Sequence, residues 1–236
     1  MTASSRLHNA PALPADLPLI VRGLRVGRGQ KVLLDDMNWQ IAAGQAILIT
    51  GPNGTGKTSL LRTIAGFIPP MSGEILLGDS RFAPHQPDSP LRLSYYGMAD
   101  GLAELMTGRD ALLQYVKFRR GGRTDPVNPE IDSPEIDKFS CAPFLDTEIR
   151  HLSGGQRQRL ALSRLALDLA TTEERYLWLL DEPDSALDIE GRQVLEEMIS
   201  DMLASGGRVI MTSHQPPDMQ FAHRVLELNN TRQARS

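Results

Sequence analysis

Between the apolar run Ala46-Ile47-Leu48-Ile49 and a helical pattern opening at Ser59 stands Gly51-Pro52-Asn53-Gly54-Thr55-Gly56-Lys57-Thr58. Two glycines, a lysine and a hydroxyl residue at these offsets, after a strand and before a helix, form the phosphate-binding loop pattern. Glycine lets the backbone curl so that successive N–H groups converge on one anion, and the helix N-terminus adds partial positive charge. In that arrangement Lys57 reaches the outer phosphates and the Thr58 hydroxyl can ligate Mg²⁺. An ordinary glycine-rich turn is the competing reading, and the flanking strand and helix disfavour it.

The rest of the chain narrows the class. At 236 residues it accommodates one α/β domain, or a core with a small subdomain. Its net charge of −4 argues against a nucleic-acid partner. The single Cys141 reads as a free thiol in a reducing compartment. No apolar run approaches the roughly 18–20 residues of a membrane span, and the polar, proline-bearing start lacks the build of a secretory signal. A cytosolic protein is expected, one that would serve a membrane only by docking to another chain.

Short strands are expected over residues 17–26 and 32–41, forming a small β layer, then over 73–78 and 91–97. Residues 102–118 read as a helix with Leu105, Leu112, Leu113 and Val116 on one face. Residues 119–142, rich in proline, glycine and polar residues, read as an irregular insertion rather than core. Beyond residue 152 order returns. A helix after Gly155 carries Leu162, Leu165, Ala166 and Leu169 at helical spacing, and a buried strand covers residues 176–180. A further helix at 189–203 and strands at 209–212 and 225–228 complete an alternation that predicts a mostly parallel sheet covered on both faces.

At the end of the buried strand stand Asp181 and Glu182. A carboxylate at the C-terminal end of a strand near a phosphate loop suits the Mg²⁺ shell, which fits Asp181, and its neighbour Glu182 can polarise an attacking water. Upstream, Leu152-Ser153-Gly154-Gly155-Gln156 makes a second candidate anion site: Ser153 caps a helix and the glycines expose backbone N–H groups.

In combination these motifs closely resemble the ATP-binding-cassette (ABC) family, over residues 19–228. The resemblance implies an α/β fold of the P-loop NTPase type, with a mostly parallel sheet, a small antiparallel β layer and a reduced helical subdomain. It implies a loose tail at 1–16, one ABC ATPase domain at 17–230 with the helical subdomain at about 100–170, and a C-terminal tail at 231–236. It also implies ATP and Mg²⁺ as ligands. The ATP contacts fall to Arg28, residues 51–59 (Gly51, Pro52, Asn53, Gly54, Thr55, Gly56, Lys57, Thr58, Ser59), Ser153, Gly154, Gly155, Gln156 and Asp188. Thr58 and Asp181 would hold the metal, and Glu182, Lys57 and His214 would carry catalysis. In this family the Ser153 to Gly155 stretch faces the other protomer's ATP, so an ATP-sandwich homodimer is implied. Ser185-Ala186-Leu187-Asp188 resembles the loop that contacts the opposite protomer, and Thr212-Ser213-His214 resembles the switch that reaches the γ-phosphate.

Two departures stand out. Arg28 occupies the place where many members stack an aromatic ring on adenine. After the strand at 91–97, the family's glutamine is replaced by Met98-Ala99-Asp100, leaving Asp100 as the side-chain oxygen available to the metal; Gln86 precedes that strand. Leu33-Leu34-Asp35-Asp36, residues 51–66, Thr212-Ser213-His214-Gln215 and Arg28 resemble the haem-exporter ATPases of bacterial cytochrome c maturation, whereas Ser153-Gly154-Gly155 departs from their alanine. This implies an integral membrane transporter partner and a peripheral place on the cytoplasmic face of the bacterial inner membrane. Another small exporter's ATPase subunit is the alternative, followed by a soluble ABC protein remodelling ribosomes or DNA. Such proteins usually have two cassettes or a coiled-coil insertion. A GTPase switch lacks support, since there is no Asn-Lys-x-Asp motif.

Overall fold

The computed structural model describes residues 17–86, 89–97, 101–119, 131, 133–170, 176–213, 219 and 221–228. Its centre is a five-stranded parallel sheet in the order β6-β7-β8-β3-β9. The strands are β3 (Ala46–Thr50), β6 (Arg92–Tyr96), β7 (Tyr176–Asp181), β8 (Arg208–Thr212) and β9 (Arg224–Glu227). Three of these strands, β3, β7 and β8, are buried along their whole length. That is why their sequences are continuous apolar runs rather than alternating ones.

Alternate side chains enter two separate cores. Leu48, Trp178, Leu180, Val209 and Met211 face one side, where α2 (Gly108–Arg119), α3 (Gly154–Leu169) and α4 (Ile189–Ala204) pack. Ile47, Ile49, Leu177, Leu179 and Ile210 face the other, beneath α1 (Lys57–Ile64) and a four-stranded antiparallel layer. That layer is ordered β2-β1-β4-β5, from β1 (Leu19–Arg28), β2 (Lys31–Ile41), β4 (Ser72–Leu77) and β5 (Ser80–Arg81). The doubly covered parallel sheet with its antiparallel layer is the architecture expected from the sequence.

Two expectations need correction. The helix that was to begin at residue 102 starts at Gly108, so Leu105 lies outside it and is 76% exposed rather than sharing a face with Leu112 and Val116. Thr107 accounts for the late start: its hydroxyl accepts from the Asp110 N–H and donates to the Asp110 carboxylate, an N-terminal cap. Within the stretch expected to be outside the core, Ile131, Ile136, Phe139 and Cys141 are buried against Leu160, Ala161 and the rest of the helical core. Asp137 closes that turn, accepting from the backbone N–H groups of Cys141 and Ala142. Cys141 is a free, buried thiol beside Ser163, and burial pushes its pKa up to about 11.

A polar knot joins the helical side to the sheet. Asp168 of α3 accepts from Tyr115 Oη at 2.8 Å, Trp178 Nε1 at 3.0 Å and Arg119 Nη2 at 3.1 Å, and also from the Ser94 hydroxyl. Removing Arg119 would strand the buried Asp168 carboxylate, so the knot fixes how α2 and α3 sit on β6 and β7.

Candidate nucleotide site

Gly51 and Gly56 hold the phosphate loop in shape. Gly51 has φ 139°, and a Cβ there would lie 2.3 Å from the Leu228 carbonyl oxygen. Gly56, with φ 109°, is the N-cap of α1, and its Cβ would press to 3.2 Å from Leu33 Cβ on β2. Neither place admits an ordinary L-residue without strain. Because the cap is a glycine with no side-chain hydrogen bond and no acid in the first turn, the N-terminal N–H groups and dipole of α1 stay available to an anion.

Lys57 is 5% exposed, and its Nζ donates to the carbonyls of Gly51 at 2.7 Å and Pro52 at 3.4 Å. Thr55 Oγ1 donates to the same Pro52 carbonyl at 3.0 Å. The loop thus folds over its own lysine, while Pro52, Asn53 and Gly54 form an exposed tip and Thr58 and Ser59 lie half-buried in the first helical turn.

The acids stand across β8 from the phosphate-loop strand. Thr212, the last residue of β8, is in register with Ile49 of β3 on one side and Asp181 of β7 on the other. Its hydroxyl donates to Asp181 Oδ1 at 2.8 Å and accepts from the Glu182 N–H at 3.0 Å. One hydroxyl therefore orients both acids, using its donor and acceptor capacity together. Asp181 is 2% exposed, and its other oxygen, Oδ2, is buried with no hydrogen-bond partner. A buried carboxylate oxygen left bare is costly unless something else binds it, and a hard divalent cation is a fitting occupant.

Glu182 has φ 53°, a left-handed conformation that costs a non-glycine residue on the order of 1–3 kcal/mol. It lines a cleft of about 290 Å³ with Asp181, Gly154, Arg157, Gln158 and Tyr96. Gln158 Nε2 donates to the Pro183 carbonyl at 2.7 Å, tying α3 to the loop that follows the acids. The structure therefore brings Asp181, Glu182 and Gly154 to one cleft, whereas the phosphate loop is not among its walls.

Ser153 caps α3 as expected, and it does so in a reciprocal capping box: the Gln156 N–H donates to Ser153 Oγ at 3.2 Å, and the Ser153 N–H donates to Gln156 Oε1 at 2.9 Å. Asp188 caps α4, accepting from the Gly191 N–H at 2.9 Å, and pairs with Arg159. The Gly191 N–H and the Arg159 charge hold its carboxyl below the usual range. Arg28 ends β1 as an exposed residue opposite Lys31. Met98, Ala99, Asp100 and His214 lie outside the described residues. Motif reading does not single out Gln158, and it takes Thr212 only as the start of the Thr212-Ser213-His214 stretch, not as the residue that bonds both acids. The sequence signal for Gln158 is its position one turn into α3, and that for Thr212 is its place at a strand end in the switch-like stretch.

The comparisons with known proteins agree with this geometry. A family model described as ABC transporter matches residues 34–185, more than half of the chain. The chain is 38% identical to the cytochrome c biogenesis ATP-binding export protein CcmA of Maricaulis maris, over 91% of this chain and 95% of that protein. It is 36% identical to the protein of the same name from Methylococcus capsulatus, over 91% of this chain and all of that one. Among solved structures, it resembles an ABC transporter ATP-binding protein from Pyrococcus furiosus, with TM-score 0.68 and 24% identity over 89% of this chain and 97% of that one. A dimeric ATP-binding cassette bound to ADP and Pi aligns with TM-score 0.71 and 21% identity, over 90% of this chain and 94% of that one. Phosphate loop, paired acids, the capped helix α3 and nearly full-length likeness converge: the chain belongs to the ABC transporter family, as one of its ATP-hydrolysing subunits.

Proposed function

We propose that this chain is the ATPase subunit that powers the haem-export complex of bacterial cytochrome c maturation, attached to the cytoplasmic face of the inner membrane through an integral membrane partner. The observation that carries this reading is the likeness, along almost the whole chain, to export proteins named for cytochrome c biogenesis. In keeping with it, no helix among the described residues is long and apolar enough to cross a membrane. Residues 17–230 would act as one ABC ATPase domain, with the helical subdomain at about 100–170.

For hydrolysis, the triphosphate would settle on the N–H groups of residues 51–59 and draw Lys57 from the Gly51 and Pro52 carbonyls onto the outer phosphates. Asp181 Oδ2 and the Thr58 hydroxyl would hold Mg²⁺, with Thr212 fixing the carboxylate through its other oxygen. Mg²⁺, when bound, neutralises charge on the phosphates. Glu182, set on its left-handed backbone, would polarise the attacking water, and His214 would contact the γ-phosphate. Ser153, Gly154, Gly155 and Gln156 would complete the site of a second copy in an ATP-sandwich homodimer related by a two-fold axis, with isologous symmetry.

The tests separate machine from role. Glu182→Gln should bind ATP normally and lose turnover on the order of a hundredfold or more, as expected when a group acts only in the transition state. Near wild-type turnover in the assembled complex would remove Glu182 from this role. Affinity capture of the full chain from solubilised bacterial membranes, with mass spectrometry of the co-purifying chains, checks the transport role. Recovery of an integral membrane subunit unrelated to cytochrome c maturation would redirect the reading to another exporter.

A further inference from the structure

Two buried oxygens stand toward the C-terminal end of neighbouring strands: Asp181 Oδ2 on β7, which has no hydrogen-bond partner, and Tyr95 Oη on β6, whose one polar neighbour from α1 is the Arg62 guanidinium, beyond a well-formed hydrogen bond. Both belong to the same face of the sheet. Tyr95 packs against the core on the α1 side, as do Leu177 and Leu179, and Asp181 continues that alternation. The parallel register pairs Tyr95 with Leu179 and Tyr96 with Leu180, so the next residue, Gly97, lies level with Asp181.

The Tyr95 ring does not stand up from the sheet at its own level. It lies forward over Gly97: a Cβ on that glycine would stand 2.7 Å from Tyr95 Cε1 and 2.9 Å from Oη. Gly97 has no positive φ, so the room it gives the ring is what its lack of a side chain supplies. Phe67 packs edge-on against the ring, with centroids 5.2 Å apart. The hydroxyl is thereby carried to the level of Asp181 on the adjacent strand, and neighbouring strand backbones lie about 4.8 Å apart. A single water can bridge two oxygens across such a gap. Burial raises the phenol above its usual range, the Arg62 guanidinium lowers it, and the Asp181 charge raises it again, which places the hydroxyl within the field of both side chains.

We propose that Tyr95 is a positioning residue of the nucleotide site, its hydroxyl held through one water to the free oxygen of Asp181 and thereby to the hydration shell of the divalent cation. This rests on the reading of Asp181 as a metal ligand. It gives the site an outer-shell oxygen from β6 itself, ahead of Met98 and Ala99, whose side chains carry none. Mg²⁺ keeps several of its waters in protein sites, and those waters need acceptors.

The experiment measures the dissociation constant of a fluorescent non-hydrolysable ATP analogue on the full chain, in saturating Mg²⁺ and in EDTA. Its readout is the ratio of the two, not turnover. Tyr95→Phe should shrink the Mg²⁺-dependent gain about tenfold, the usual cost of losing an outer-shell partner, while EDTA affinity and the apo melting temperature stay at wild type. Asp181→Asn, run alongside, should abolish the gain. A Tyr95→Phe ratio within about twofold of wild type, with Asp181→Asn collapsed, overturns the role of Tyr95 alone. Equal weakening with and without Mg²⁺ also overturns it, by assigning Tyr95 to general packing. An Asp181→Asn protein that keeps the gain overturns the metal-site reading, and this proposal with it.

Discussion

The helices α1 and α3 both begin at glycines, and the two N-termini are built on opposite principles. At α1 the glycines answer to their own chain: Gly51 and Gly56 have φ angles of 139° and 109°, and side chains there would strike Leu228 and Leu33. At α3, Gly154 and Gly155 have no positive φ, and nothing lies within 4 Å of a Cβ built on either. The cap differs in the same sense. α1 leaves its first N–H groups uncapped by any side chain, whereas α3 closes on itself with the Ser153 and Gln156 capping box. The first helix thus owes its open N-terminus to the packing of the fold around its glycines. The second is closed by its own side chains, and the space beside its first two glycines is open.

Gly51→Ala carries the largest expected effect. The added Cβ meets the Leu228 carbonyl, a backbone atom that cannot move without disturbing the β3–β9 pairing, and the φ of 139° is strained for alanine. A loss of about 3 kcal/mol is expected, which lowers the melting temperature by roughly 6–12 °C. Nucleotide binding should fail with it. Differential scanning calorimetry and equilibrium binding check both, and an unshifted melting temperature would mean that the loop is not held as tightly as its geometry indicates.

The contrast between the helices also explains what was legible in the sequence. The phosphate loop could be read because its glycines serve local backbone needs, and the buried strands because their apolar runs are unbroken. The capping box was half visible, as Ser153 followed by Gln156. The parts that escaped reading are held by contacts distant in sequence. Ile131, Ile136 and Phe139 sit among prolines and polar residues with no period, and only the packing of α2 and α3 makes them core. Thr212 reaches Asp181 across 31 positions of chain, a bond that no local pattern announces. Leu105 failed in the other direction: its spacing matched a helix face, but the Thr107 and Asp110 cap starts the helix beyond it.

Ser153→Arg should act on association more than on folding. Loss of the cap costs about 1 kcal/mol, or roughly 2–4 °C in melting temperature. In the Glu182→Gln background, ATP should drive wild-type Ser153 protein to dimers, whereas the arginine variant should stay monomeric with its own phosphate loop still loaded. Light scattering with and without ATP distinguishes these states. Dimers that persist in the arginine variant would contradict the shared-site geometry.

Gly155→Ala has the smallest expected effect on the fold and says most about why α3 begins with glycines. The position is in the first turn of the helix, its φ suits any residue, and the space beside it is open. Alanine there should stabilise the monomer by about 0.4–1 kcal/mol, because it restricts the unfolded chain at a site where the folded chain has no objection. The melting temperature should therefore stay level or rise by a few degrees. If the bare surface exists for a phosphate presented by a second copy, that gain comes with weaker ATP-driven dimerisation, since the methyl group stands where the anion must approach the N–H groups. Calorimetry and light scattering on the Glu182→Gln, Gly155→Ala protein read the two quantities separately. A more stable monomer that dimerises as before would leave the glycine without a role in assembly.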